Sequence, residues 1–139
     1  MLTILEKADL LQSVEIFCEV RTQSLARVAA ISQEINFEAR QRLFAENEAA
    51  DAMFVLLEGQ VTVSHGGIGD VRLGKSQVAG ALALLADQPQ TESAIASQPV
   101  RALRISQQDL FDAMSEDFGI TRGILRALAG LATRRNAHP

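Results

Sequence analysis

The sequence predicts an α+β domain in which an antiparallel β-roll lies between N-terminal and C-terminal helices. Three observations support this fold class. Apolar residues recur at helical spacing near both ends of the chain, and in the middle they alternate with polar residues. The alternating runs are short and are separated by turns that contain Gly or Asn. Short strands joined by tight turns are typical of rolls and barrels.

The chain has the length and composition of one globular domain. Its 139 residues are enough to bury a single core, and 47% hydrophobic with 22% charged residues is ordinary for a folded protein. The sequence contains no internal repeat and no long linker. We therefore expect a single domain over residues 1–139, with N-terminal helices over 1–32, the β-roll over 33–106 and C-terminal helices over 107–135.

Two helices are expected before the roll. Residues 2–11 have apolar side chains near helical spacing, and Ser13 is predicted to end this helix. Thr22 is predicted to cap a second helix that continues through Ile31, because a threonine hydroxyl can accept a hydrogen bond from an early helical N–H. Cys18, between the two helices, is expected to be a small buried hydrophobe rather than a reactive thiol.

The period of the apolar residues changes to two at Glu34, where Ile35, Phe37 and Ala39 begin the alternation of a half-buried strand. Strands are predicted at residues 34–40, 42–44, 52–57, 60–65, 70–73, 91–96 and 100–106. Residues 66–69 are expected to form a hairpin turn, since a phosphate loop would need a following Lys-Ser or Lys-Thr and a helix.

Helical spacing returns after the strands. Residues 80–86, GALALLA, are too rich in Ala and Leu for a good strand and precede Pro89, so one or two helical turns are expected there. Longer helices are predicted at 107–114 and 118–135. The last helix has an apolar stripe formed by Ile120, Ile124, Leu125, Leu128 and Leu131.

Composition argues against several function classes. A net charge of −4 with no basic region argues against a nucleic-acid partner. No apolar run approaches the roughly 20 residues of a membrane span, and the N-terminus lacks a signal-peptide layout, so a cytoplasmic location without membrane insertion is expected. His65 and His138 are too few for a metal site, and no nucleophile is paired with a base. We expect a protein that is not an enzyme.

Several blocks of residues are similar to one known family. They are Ile16-Phe17, residues 43–46 (LFAE), residues 51–61 (DAMFVLLEGQV), Leu73-Gly74 and residues 80–85 (GALALL) followed by Pro89. Together they resemble the cyclic-nucleotide-binding domains of the catabolite activator, protein kinase A regulatory subunits and gated channels. The last block looks like the phosphate-binding cassette, usually written G-E-L-A-L-L, three residues, P-R. The resemblance covers nearly the whole chain and implies a jelly-roll form of the β-roll.

The resemblance also places the ligand-binding positions. In the family a cassette glutamate accepts a bond from the ribose 2′-hydroxyl, and an arginine neutralises the phosphate beside a helix N-terminus. Here Ala81 stands at the glutamate position and Gln90 at the arginine position, while Glu92 replaces a small residue beside the phosphate. The ligand-binding positions implied by the resemblance, within a cassette over residues 80–92, are Gly80, Ala81, Leu82, Ala83, Gln90, Thr91 and Glu92.

These substitutions predict poor binding of cyclic nucleotide. The two lost contacts should cost about 1.5–3 kcal/mol each, and their combined loss of ~3–6 kcal/mol would move a micromolar site to roughly millimolar affinity or weaker. The first hypothesis is a non-catalytic regulatory or interaction module with no cofactor and with a protein partner. In this family a C-terminal helix often forms a dimer, so the apolar stripe is expected either to form a homodimer or to pack against the roll.

Two alternatives remain open for the pocket. One is a working receptor for cyclic AMP or cyclic GMP that uses substitute contacts, such as cassette N–H groups, Thr91 and Arg72. The other is a pocket retuned to a different small molecule, neutral or cationic, that the charge of Glu92 would favour.

Overall fold

The structure, a computed structural model, describes residues 1–66 and 68–136. These residues form two compact units, a strand unit of Ser32–Asp109 and a helical unit of Met1–Ile31 together with the residues from Leu110 onwards. Gly67 of the predicted turn and His138 lie outside the described residues. Each unit is built around its own elements and is described separately.

The strand unit contains two antiparallel sheets. In the described residues the strands are β1 (Gln33–Phe37), β2 (Arg42–Phe44), β3 (Ala52–Glu58), β4 (Val61–His65), β5 (Ile68–Leu73), β6 (Val78–Ala79), β7 (Ser93–Ala96) and β8 (Val100–Ser106). One sheet has the order β1-β8-β3-β6 and the other β2-β7-β4-β5. Two four-stranded sheets of this kind confirm the predicted α+β fold with a β-roll.

The core of the roll lies between these strands. The ring of Phe54 in β3 packs against two other rings. Its centroid lies 5.4 Å from that of Phe37, in an edge-on geometry, and 6.4 Å from that of Phe44, in a stacked geometry. Small and aliphatic residues complete the buried cluster: Ala52, Leu56, Val61, Val63, Ala79, Ala94, Ala96, Val100 and Ala102. β3 is buried at six consecutive positions, because it is a central strand with apolar side chains on both faces.

Some strand boundaries differ from the prediction. The first strand ends at Phe37, and Ala39 is exposed, because the chain turns through Arg40, whose φ is 74°. The strand predicted from residue 91 begins at Ser93, since the backbone of Gln90 is hydrogen-bonded to Asn47 and Glu48 instead. The two-residue strand β6 was not predicted, since two residues show no periodicity.

The helical unit begins with α1 (Ile4–Gln12), which carries a reciprocal capping box between Thr3 and Glu6 and ends at Ser13 as predicted. A 3₁₀ turn at Glu15–Phe17 leads to α2 (Thr22–Ile31). Thr22 is not the cap: the carbonyl of Arg21 accepts the first helical bond, from Leu25 N–H, so Thr22 lies inside the helix. The prediction that Cys18 is buried is wrong, because it follows the 3₁₀ turn on the exposed side of the chain.

After α3 (Ala81–Ala86) in the strand unit, the chain ends with α4 (Gln107–Glu116) and α5 (Phe118–Asn136). α5 runs against the segment around Val20, and an added Cβ at Gly123 would lie 2.7 Å from Val20 Cα. Ile120 and Ile124 of the predicted stripe are buried. Leu125 is exposed, so it does not belong to the buried side of that stripe.

The helices are too short or too polar to span a membrane. In residues 1–66 and 68–136, no helix is both long enough and apolar enough to cross a bilayer.

Candidate ligand site

The cassette segment, residues 80–92, begins with a turn at Gly80 that has a left-handed backbone conformation. Gly80 has φ 84°, and an added Cβ there would lie 2.9 Å from Gln90 Nε2 and 3.1 Å from the Phe44 ring. Both the conformation and the close packing favour glycine. α3 follows directly and ends at Asp87, so the predicted one or two helical turns are confirmed.

Hydrogen bonds fix both ends of this segment in the strand unit. Gln90 N–H donates to the carbonyl of Glu48 at 2.8 Å, and Asn47 N–H donates to the carbonyl of Gln90 at 2.8 Å. At the end of α3, the Gln107 amide donates to the Leu84 carbonyl and to the Asp87 carboxylate, each at 3.0 Å. The position of the cassette is therefore set by contacts with the loop at Asn47 and Glu48 and with the first residue of α4, both distant in sequence.

A cavity of about 150 Å³ opens beside the cassette, and we call it the roll cavity. Its lining residues come from β2, β4, β5 and β6 and from the two ends of the cassette; they are Phe44, Val63, Val71, Leu73, Val78, Ala79, Gly80 and Glu92. Among these eight residues Glu92 alone is charged. The cavity thus combines an apolar wall with one carboxylate.

The residues at the implied binding positions are not all at the cavity. Gly80 and Glu92 line it, and Gln90, only 4% exposed, packs its amide against Gly80. Ala81 is buried, Ala83 is partly buried and Thr91 is exposed, but none of the three lines the cavity. Leu82 is 66% exposed and turns away from the roll core. The structure therefore brings together Gly80, Gln90 and Glu92.

The substitute arginine considered from the sequence, Arg72, does not line the cavity. It pairs with Thr62 in the register between β4 and β5, one position from Val71 and one from Leu73. Because successive side chains of a strand point to opposite faces, and Val71 and Leu73 line the cavity, Arg72 lies on the opposite face of the sheet. Its charge is directed away from any ligand in the roll cavity.

His65 has a contact that the sequence did not indicate. Its Nδ1 atom lies 2.6 Å from the carbonyl oxygen of Thr91, next to Glu92 in the chain. The neighbouring Gly66 N–H donates to the Glu46 carboxylate at 2.7 Å. The contact between His65 and Thr91 connects the end of β4 to the end of the cassette, although the two residues are 26 positions apart.

A second charged cluster lies elsewhere in the strand unit. Arg101 donates to Glu34 and to Glu58, each at 2.8 Å, beside a groove of about 810 Å³ at the ends of β1 and β3. Hydrogen bonds to Glu34 and then to Glu58 raise the pKa of the Arg101 guanidinium above its ordinary value. In the described residues, no group of three or more His, Cys, Asp or Glu converges as a metal site.

Comparison of the sequence with known proteins identifies a family that this chain matches. Residues 34–117 match the family model described as "Cyclic nucleotide-binding domain". The "CRP-like cAMP-activated global transcriptional regulator" of Mycobacterium tuberculosis, from strains CDC 1551 / Oshkosh and ATCC 25618 / H37Rv, is 26% identical over 134 residues. The alignment covers 92% of this chain and 59% of the relative, so the chain spans about three fifths of these regulators.

Solved structures show the same fold. The N-terminal domain of a transcriptional regulator from Streptomyces coelicolor A3(2) matches with a TM-score of 0.80 and 24% identity, covering 94% of this chain and 96% of that one. A provisionally named cyclic nucleotide-binding protein from Geobacter metallireducens GS-15 matches with a TM-score of 0.77 and 24% identity, covering 97% and 98%. With the family model matching more than half of its residues, the chain belongs to the cyclic nucleotide-binding domain family.

Proposed function

We propose that this domain is a non-catalytic regulatory or interaction module whose affinity for cyclic nucleotide is weak or lost. The observation that supports this most directly is the position of Glu92 in the wall of the roll cavity. A cyclic phosphate is an anion, so the Glu92 carboxylate repels it, with a strength that water and salt reduce because Glu92 is exposed. No cationic residue is among the cavity's lining residues to offset that repulsion.

The two other altered positions support the same proposal. Gln90 is buried against Gly80, so an uncharged amide occupies the place that the family gives to an arginine. Ala81 is buried and has no side-chain acceptor for a ribose hydroxyl. Hydrogen bonds to charged groups contribute about 1.5–3 kcal/mol each, so these two losses alone weaken binding by roughly two to four orders of magnitude.

The size of the cavity also argues against a nucleotide in this conformation. The roll cavity has a volume of about 150 Å³. Pockets that bury a drug-sized ligand usually have roughly 300–1,000 Å³. A base, a ribose and a cyclic phosphate would therefore extend beyond this cavity or need it to enlarge, and either would reduce the affinity further.

Thermal denaturation with and without ligand tests the proposal. We expect the melting temperature of the wild-type protein to be unchanged by millimolar cyclic AMP or cyclic GMP. The triple variant Ala81→Glu, Gln90→Arg, Glu92→Ala should gain a ligand-dependent increase, since ligand at 100 times Kd stabilises by about 2.7 kcal/mol. A control variant that carries Gln88→Arg in place of Gln90→Arg puts the new positive charge at an exposed position of the same segment. Its melting temperature should not increase with ligand.

A working receptor is the second candidate, and the name of the mycobacterial relatives, "cAMP-activated", favours it. Arg72 cannot supply its phosphate contact from the opposite face of the sheet. An upward shift of the wild-type melting temperature with cyclic AMP would establish this candidate and contradict the first proposal.

The partner we propose is a second copy of the chain, bound through α5. Phe118 and Leu125 are 69% and 57% exposed, and their spacing of seven residues puts them on one face of the helix. Large apolar side chains exposed together on a helix are typical of association surfaces. Leu125→Glu should lower the molar mass measured by light scattering, while Leu5→Glu, which changes an equally exposed leucine of α1, should not.

The relatives are regulators rather than enzymes, which supports a non-catalytic role. They are described as transcriptional regulators, and the chain spans 59% of their length. The prediction that nucleic acid is not a partner therefore concerns residues 1–139 alone. It remains a prediction, as does the cytoplasmic location.

A further inference from the structure

We propose that the roll cavity binds a small organic cation, with an apolar body the size of one ring and a single ammonium group. This inference rests on the proposed loss of nucleotide affinity, because it assigns a different ligand class to the same cavity. Three properties of the cavity support the inference: its charge, its size and lining, and its opening to solvent.

The charge of the cavity is negative and uncompensated. In the part of the chain that the structure describes, the carboxylate of Glu92 has no ion-pair partner. Arg72 lies on the opposite face of the sheet, and the described contact of the His65 ring is with the Thr91 carbonyl. Because Glu92 is exposed, its carboxylate is screened by water and salt, and it attracts a cation by up to about 1 kcal/mol. An ammonium group is thus the natural complement of Glu92.

The size and lining of the cavity limit the rest of the ligand. A cavity of about 150 Å³ lined by apolar side chains is large enough for a molecule such as benzene. Val63, Val71 and Leu73 form an aliphatic wall, and Phe44 adds an aromatic ring that is held in place by stacking on Phe54. Aromatic rings also attract cations. One ring or a short branched alkyl group fills this volume, whereas most of a nucleotide would lie outside it.

The cavity opens at the edge of a sheet. β5 is the edge strand of the order β2-β7-β4-β5, and its Val71 is 58% exposed although it lines the cavity. Glu92 is exposed at the same cavity. A ligand can therefore enter with its apolar end first and keep its ammonium group near Glu92, without any opening of the roll.

The test uses three probes that share one ring and differ in charge: benzylammonium, benzyl alcohol and benzoate. We expect calorimetric titration of the full chain to show benzylammonium binding about two- to fivefold more tightly than benzyl alcohol, and benzoate binding more weakly than either. Glu92→Gln should lower the affinity for benzylammonium to that for benzyl alcohol. Glu48→Gln, which changes an exposed glutamate outside the cavity lining, should leave the affinity unchanged.

The methyl resonances of Val63 and Val71 locate the bound probe, and they should shift at lower benzylammonium concentrations in the wild type than in Glu92→Gln. Equal binding of benzylammonium and benzyl alcohol, no binding of any probe, or unchanged binding in a folded Glu92→Gln variant would each overturn the inference. Titration with cyclic AMP separates the two proposals. If neither cyclic AMP nor benzylammonium binds, the inference fails while the loss of nucleotide affinity stands; if cyclic AMP binds tightly, the proposed function fails.

Discussion

Substitution of Gly123 by alanine tests the closest approach within the helical unit. An added Cβ would lie 2.5 Å from Val20 Cγ2, 2.7 Å from Val20 Cα and 2.9 Å from Val20 N. Two of these three atoms belong to the backbone, so a change of rotamer cannot relieve the overlap. α5 or the segment at Val20 must move, and the movement disturbs the packing of the buried Ile120 and Ile124.

The size of the effect follows from two opposing contributions. Glycine to alanine inside a helix gains about 1 kcal/mol from helix propensity. Overpacking usually costs about 1–3 kcal/mol, and contact with backbone atoms places this site at the upper end of that range. We therefore expect Gly123→Ala to lower the free energy of unfolding by about 2 kcal/mol.

Urea denaturation followed by far-ultraviolet circular dichroism measures this difference. Gly130→Ala is the matched control in the same helix, because its added Cβ would have only the end of Arg134 nearby, at 3.5 Å. The control should keep the propensity gain and be more stable than the wild type by up to about 1 kcal/mol. If Gly123→Ala were as stable as the control, α5 would not approach Val20 as closely as the structure has it.

Three further predictions concern single residues. Gly80→Ala should destabilise the strand unit by about 1–2 kcal/mol in urea denaturation, because φ is 84° and a Cβ would overlap the Gln90 amide; unchanged stability would contradict the turn geometry. Cys18 should react fully with an aromatic disulfide reagent in the native protein, since its side chain is exposed; reaction only after unfolding would show that it is buried. The pKa of Arg101 is raised in the folded state, so its contribution to stability is complete below the ordinary arginine pKa and is lost only above it. The stability difference between wild type and Arg101→Gln should therefore be constant between about pH 6 and 9 and should shrink with salt, and a change of that difference with pH would contradict the assignment.

Much of the fold follows from local sequence patterns. The alternation at Ile35 and Phe37 and the helical spacing of Ile120 and Ile124 report which side of each element is apolar, and the structure buries or partly buries all four residues. The predicted boundaries failed where a positive φ ended an element, as at Arg40. Periodicity describes a regular element well, but it carries little information about the residue at which the chain turns.

The composition of the candidate site also follows from the sequence. The spacing from Gly80 to Pro89 resembles the family's cassette, and the residue types at positions 81, 90 and 92 predict the loss of two favourable groups and the gain of a charge. These statements depend on residue chemistry and not on distances. Residue types and their spacing are therefore enough to predict which chemical groups are lost and which are gained.

The tertiary structure was needed to locate those groups. It places Glu92 in the cavity wall and Arg72 on the opposite face of the sheet, and it brings His65 to Thr91 and Gly123 to Val20. In each case the neighbours come from segments that are distant in the chain. Residue types and spacing indicate the family and predict the loss of the phosphate chemistry, because both depend on local sequence. The cavity and its exposed acid depend on strand register and helix packing, which no local pattern encodes.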